Sequence, residues 1–145
     1  AEMAMQEAAE LRDKETSPRW QANYDLIYAQ IIAYQARIYE YGAYLEGFMR
    51  KPKVVPLTKG PNTKLVHWDI TTRKQLVAES VSQPYIDKAT MMFQQVIKDN
   101  PGTPWAARAK AELARGFGID LVPDYDSTLR RSRPITGPIQ PIPKL

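Results

Sequence analysis

His67, Trp68 and Asp69 form the only cluster in this 145-residue chain with the ingredients of a proton-transfer site: the sole histidine, a carboxylate two residues on and an aromatic between them. On an extended segment, consecutive side chains point to opposite faces, so His67 and Asp69 share a side while Trp68 turns inward. A general base also needs a nucleophile or a held water beside it, and no residue in the pattern supplies one. A structural role for His67 is the expectation. One histidine and no cysteine exclude the usual zinc sets. Asp120, Asp124 and Asp126 lack the glycine turn and closing glutamate of a calcium loop, so they read as a surface acidic turn. The seven glycines are scattered and build no phosphate-binding loop. No catalytic residue, cofactor site or metal site is assigned, and the chain is expected not to be an enzyme.

Aromatic and basic residues give the remaining chemistry. Six of the eight tyrosines lie between Tyr24 and Tyr44. Such rings can stack on bases or sugars, but here they occupy helical spacings shared with isoleucine and leucine, which favours packing in a core or an interface. Arg130, Arg131 and Arg133 form a small basic footprint that can hold phosphate, short of the clusters usual in nucleic-acid proteins.

These residues need elements to position them, and residues 19–49 supply the main one. Trp20, Tyr24, Ile27, Ile31, Tyr34, Ile38, Tyr41, Leu45 and Phe48 step by four and three, the seam by which one helix lies along another. At 1.5 Å per residue this helix is about 45 Å long. Ser17 and Pro18 mark its start, and Gly47 with Pro52 marks its end. Ala22, Ala29, Ala36 and Ala43 recur every seventh residue on another face beside Leu26, Ile32 and Tyr39, so the helix is expected to be covered on more than one side. Asp25, Arg37 and Glu40 exclude a membrane span. Residues 1–15 read as a weaker helix, and residues 50–72 as a connector with a short extended segment around Leu65, Val66, Trp68 and Ile70. Residues 84–115 read as an antiparallel helix hairpin broken at Asn100-Pro101-Gly102. With no evident strand partner, the segment at 64–72 is expected to build no sheet.

The expected fold is therefore all-α. A long central helix packs with the hairpin in a domain of residues 1–118, and a proline-rich arm occupies residues 119–145, which hold five of the twelve prolines. Net charge is +4, divided as −3 over residues 1–50 (5 basic, 8 acidic) and +7 over residues 51–145 (15 basic, 8 acidic). The asymmetry leaves nucleic acid or an anionic surface as an alternative partner. Residues 1–14 carry no signal-peptide apolar core, and the chain reads as a piece of something longer. The sequence leaves the compartment open, with an exported or envelope-associated location an option.

Ala89, Phe93, Ile97 and Pro101, at four-residue intervals, resemble the latter half of a tetratricopeptide repeat, and Pro104-Trp105-Ala106 with Ala109 and Leu113 looks like the first helix of the next. The full first-helix signature is missing upstream, so the resemblance implies about one unit. More broadly, Trp20-Gln21-Ala22-Asn23-Tyr24-Asp25, residues 39–45, Lys64-Leu65-Val66-His67-Trp68-Asp69-Ile70, residues 101–106 and the closing Pro141-Ile142-Pro143-Lys144-Leu145 resemble the C-terminal region of large, poorly characterised bacterial proteins that carry a von Willebrand factor type A domain elsewhere. That resemblance implies a helical module and no known activity; the Asp-x-Ser-x-Ser metal motif of the A domain is absent. Together these observations point to a non-enzymatic protein–protein interaction or assembly module that binds a protein partner or a second copy. Tyr24, Ile31, Tyr34, Ile38, Tyr41 and Trp105 are the interaction candidates on the helices. Arg130, Arg131 and Arg133 are those at the rim of the arm, with Ile135, Ile139 and Ile142 turned inward.

Overall fold

Pro18 opens the longest element, where a missing N–H costs nothing, and helix α3 then runs without a break over Pro18–Arg50. At 33 residues it spans about 50 Å. The computed structural model describes residues 1–127. In chain order these are α1 (Glu2–Glu7), α2 (Ala9–Lys14), α3, β1 (Thr63–Arg73), α4 (Glu79–Asp99), α5 (Pro104–Arg115) and β2 (Gly118–Ser127). They divide into two compact units, Ala1–Lys53 with Ile70–Asp120, and Val54–Asp69 with the residues from Leu121 onward.

The core of the first unit lies on the alanine face of α3. Ala22, Leu26, Ala29, Ile32, Ala33 and Ala36 are buried there, against Ala89, Phe93 and Val96 of α4 and Ala109 of α5. Small side chains on α3 let α4 come close and leave room for the Phe93 ring, which is completely enclosed. The heptad seam is not the core-facing surface. Burial follows residues 22, 26, 29, 33, 36 and 40, a parallel 4–3 stripe displaced around the helix. Large apolar residues suggested the wrong face because packing a neighbour tightly requires the small ones.

β1 pairs with β2 in a two-stranded antiparallel sheet, so the protein is mixed α/β and the all-α expectation is corrected. The partner of β1 is the stretch after Gly116, which the sequence presents as the start of a proline-rich arm. Ile119, Leu121 and Val122 have the branched or apolar character of a strand, and Pro123 is tolerated because both strands of a two-stranded sheet are edges. Two glycines allow the approach. A Cβ on Gly118 would lie 1.9 Å from the Gln75 carbonyl oxygen, and one on Gly116, whose φ is +78°, would lie 2.6 Å from that of Arg73. The arm boundary at residue 119 thus falls inside β2.

Helix α4 starts at Glu79, upstream of the start expected at residue 84, and carries Pro84 inside it. The signal was not local. Glu40 of α3 accepts hydrogen bonds from the amides of Val77 (2.6 Å) and Ala78 (3.0 Å) and from the Ser82 hydroxyl (2.6 Å). A carboxylate from another helix thereby satisfies the amides at this end. At α5 the cap is local: Thr103 Oγ1 accepts from the Ala106 amide.

In the second unit, Leu65 N–H donates to the Leu57 carbonyl at 2.8 Å, and the Tyr125 hydroxyl donates to the Pro56 carbonyl at 2.7 Å. Lys59 Nζ stands 4.5 Å over the Tyr125 ring. These contacts fold the proline-rich connector back along its own strands.

Candidate interaction surface

With the alanine face buried, the heptad seam of α3 is turned outward. Trp20 is 62% exposed, Tyr34 47% and Ile38 67%, while Ile27 is exposed to a smaller degree. Of the interaction candidates, Tyr34, Ile38 and Tyr41 come together: with Arg37, Ile70 and Ile119 they line one shallow trough of about 360 Å³. Arg37 Cζ lies 5.7 Å from the centroid of the Tyr34 ring and 5.5 Å from that of Phe117, so its cationic plane rests between two aromatics.

Tyr24 and Ile31 are half-buried and belong less to this surface. The Tyr24 hydroxyl donates to the Met5 carbonyl, and its ring meets Tyr28 edge-on at 6.1 Å. Burial, with the nearby Tyr28 and Asp25, pushes the Tyr24 phenol above its ordinary value. Around it Arg12 forms a two-pronged pair with Asp25, at 3.0 and 2.7 Å, tying α2 to α3. Trp105 is half-buried at the edge of the core and lines a second hollow, of about 410 Å³, with Trp20, Arg19, Asn23 and Pro104. Arg130, Arg131, Arg133, Ile135, Ile139 and Ile142 lie outside the described residues.

A buried ionic network under the trough was not foreseen. Arg37 donates through Nη1 to Glu112 at 3.0 Å, and through Nε and Nη2 to the Gly116 carbonyl at 3.3 and 3.1 Å. Arg108 and Arg115 approach the same Glu112 from α5 at 2.9 and 3.7 Å, and Gln30 donates to it at 3.4 Å. Burial alone pushes the Glu112 carboxyl up; the hydrogen bond and charge of Arg37, aided by Gln30 and Arg108, outweigh it and hold the group below its ordinary value. The signal was present in the sequence, because Arg37 and Glu40 continue the alanine stripe after Ala33 and Ala36.

In the second unit His67 is exposed, with Nε2 3.0 Å from Asp69 and 3.8 Å from Asp124. The shared side expected for His67 and Asp69 is observed, and Trp68 is the more buried of the three. Asp124 joins them from β2, so the three ligand-type atoms lie within 4.8 Å of one another. All three side chains are roughly half in solvent. Among the described residues, no helix is long and apolar enough to cross a membrane.

No protein-family model, no curated protein and no solved structure matches this chain.

Proposed function

We propose that the protein is a non-enzymatic interaction module, and that the outward seam of α3 is where a helix from a second copy of the same chain docks. The observation that carries the reading is the run Trp20, Ile27, Tyr34, Ile38 and Tyr41. It is an apolar stripe at 3.5-residue spacing, left uncovered by α4 and α5 and continued sideways by Ile70 and Ile119. Aromatic residues with an arginine among them are the composition of interface centres.

A second copy is favoured because the positions beside the stripe carry little charge. Asn23, Gln30 and Gln35 flank it; of the two cations there, Arg37 is already matched by Glu112 and Arg19 stands only at the far end, beside Trp20. Two identical stripes can therefore meet without like charges facing one another. The resemblance to C-terminal regions of bacterial proteins with a von Willebrand factor type A domain agrees with an assembly role and adds no activity. The alternative, an anionic partner, gains nothing at this surface, whose lining is apolar apart from the engaged Arg37.

Mass in solution, by light scattering or sedimentation, tests the proposal. The expected species is a dimer of the 16.5 kDa chain that becomes monomeric in Ile38→Asp with its helical content unchanged, since Ile38 is two-thirds exposed. A monomer at every concentration, or a dimer indifferent to Ile38→Asp, overturns self-association through this stripe.

A further inference from the structure

At the C-terminal end of α3, away from that stripe, a hollow of about 210 Å³ opens between the helix and residues 73–77. Phe48, Val77 and the small Ala43 and Gly47 give it an apolar lining, and Tyr44, Lys51, Lys53 and Arg73 a polar one. Every formal charge among the lining residues is positive. Asp120 answers one of them, accepting from Lys53 Nζ at 2.7 Å and from the Tyr44 hydroxyl at 2.5 Å. The carbonyl end of α3 adds about half a negative charge. Three cations against that total leave a surplus of between one and two positive charges.

Arg73 shows where the surplus is available. Its Cζ stands 5.1 Å over the Tyr44 ring. Its Nε is buried and has no hydrogen-bond acceptor among the described residues. A buried donor of a charged group left without an acceptor is costly, so native structures rarely keep one without a use. An aromatic face, rather than a hydrogen bond, holds this guanidinium, which leaves the donors at its Nη end for an acceptor from outside.

We propose that this hollow binds a carboxylate that carries a compact apolar group, the carboxylate on Arg73 and Lys51 and the apolar group on Phe48 and Val77. The walls decide the class. Inorganic phosphate presents oxygens in every direction and would leave several against apolar carbon, whereas a carboxylate places both oxygens at one end, matching an arginine fork. The volume corresponds to about seven waters at ~30 Å³ each, the size of one amino-acid residue and too small for an extended chain. A free carboxylic acid and the terminal carboxylate of a peptide share this chemistry.

The test uses the whole chain and follows the Arg73 Nε–H signal by ¹⁵N–¹H NMR during titration with N-acetyl-leucine, its uncharged amide, a peptide ending in leucine, and inorganic phosphate. The expected result is a saturable shift with N-acetyl-leucine, none with the amide, and at least tenfold weaker binding in Arg73→Lys, which keeps the charge and loses the fork. Lys51→Gln, at an exposed position, is expected to weaken binding severalfold in a fold whose melting is unchanged. Tighter binding of the peptide than of N-acetyl-leucine assigns the site to chain termini, and equal or weaker binding assigns it to free acids. Absence of a saturable shift with either carboxylate overturns the proposal, as does an equal response to the amide or to phosphate. This outcome is independent of the oligomeric state, because Ile38 is no part of the hollow.

Discussion

Replacing Glu112 by glutamine preserves its shape and removes the one negative charge that three arginines share. Arg108 and Arg115 are about half exposed and can swing into water, whereas Arg37 is 7% exposed and cannot. The cost is therefore set by Arg37, a buried guanidinium left with only the Gly116 carbonyl and two aromatic faces. Breaking a buried pair from one side costs about 3–5 kcal/mol, and the retained carbonyl places this case near 3. Against a total stability of about 5–15 kcal/mol, the urea midpoint should move far enough to measure without ambiguity. The double variant Arg37→Met with Glu112→Leu removes both charges and fills the space with carbon, and should recover most of the loss. A Glu112→Gln effect under about 1 kcal/mol, or a double variant no more stable than the singles, would refute the argument. Acid supplies a second check. Glu112 is held below its ordinary 4.5 in the folded state, so its contribution is complete above the unfolded value and is lost as pH falls through the lower folded one. The gap between wild type and Glu112→Gln should accordingly narrow only on the acid side of that value.

Gly118→Ala should be among the most damaging single changes, because its Cβ would meet backbone, not a movable side chain, at 1.9 Å. A loss of at least about 2 kcal/mol is expected, with the β1–β2 amide protection disappearing in hydrogen exchange. Trp105→Ala should cost about 2–3 kcal/mol, below the range for fully enclosed tryptophans, since one side of the ring faces the hollow it shares with Trp20. An unchanged denaturation midpoint would mean that Trp105 does not anchor α5.

Helical positions were legible where the chain's own punctuation sets them. Ser17-Pro18 opens α3, Thr103-Pro104 opens α5, and Asn100-Pro101-Gly102 separates α4 from α5, as a local reading of caps and breakers predicts. The facing of α3 was not legible in the same way. Two 4–3 stripes share the helix, and hydrophobicity marks Trp20, Tyr34 and Ile38, while close packing selects Ala29, Ala33 and Ala36. The sheet was missed because β1 finds its partner some fifty residues later, past two helices, in a stretch whose prolines argue against a central strand. The candidate surface was half visible. Tyr34, Ile38 and Tyr41 share a stripe that spacing reveals, but Ile70, Ile119 and Arg37 join them only through the fold. Asp124 likewise reaches His67 only because β2 pairs with β1, a relation no spacing encodes.

Glu40 holds the two amides that lead into α4, those of Val77 and Ala78, 37 and 38 positions further along the chain. That changes the order in which the structure can assemble. A helix end is ordinarily the first place to fray, yet here the amides of Val77 and Ala78 stay closed for as long as α3 and α4 remain together. The later turns of α4, around Phe93 and Val96, can form from local bonds. The opening turn must wait until the loop between the two helices has closed and its entropy has been lost. Exchange at those two amides therefore clocks the separation of α3 from α4, and a nascent chain that has not yet closed that loop holds α4 without its first turn.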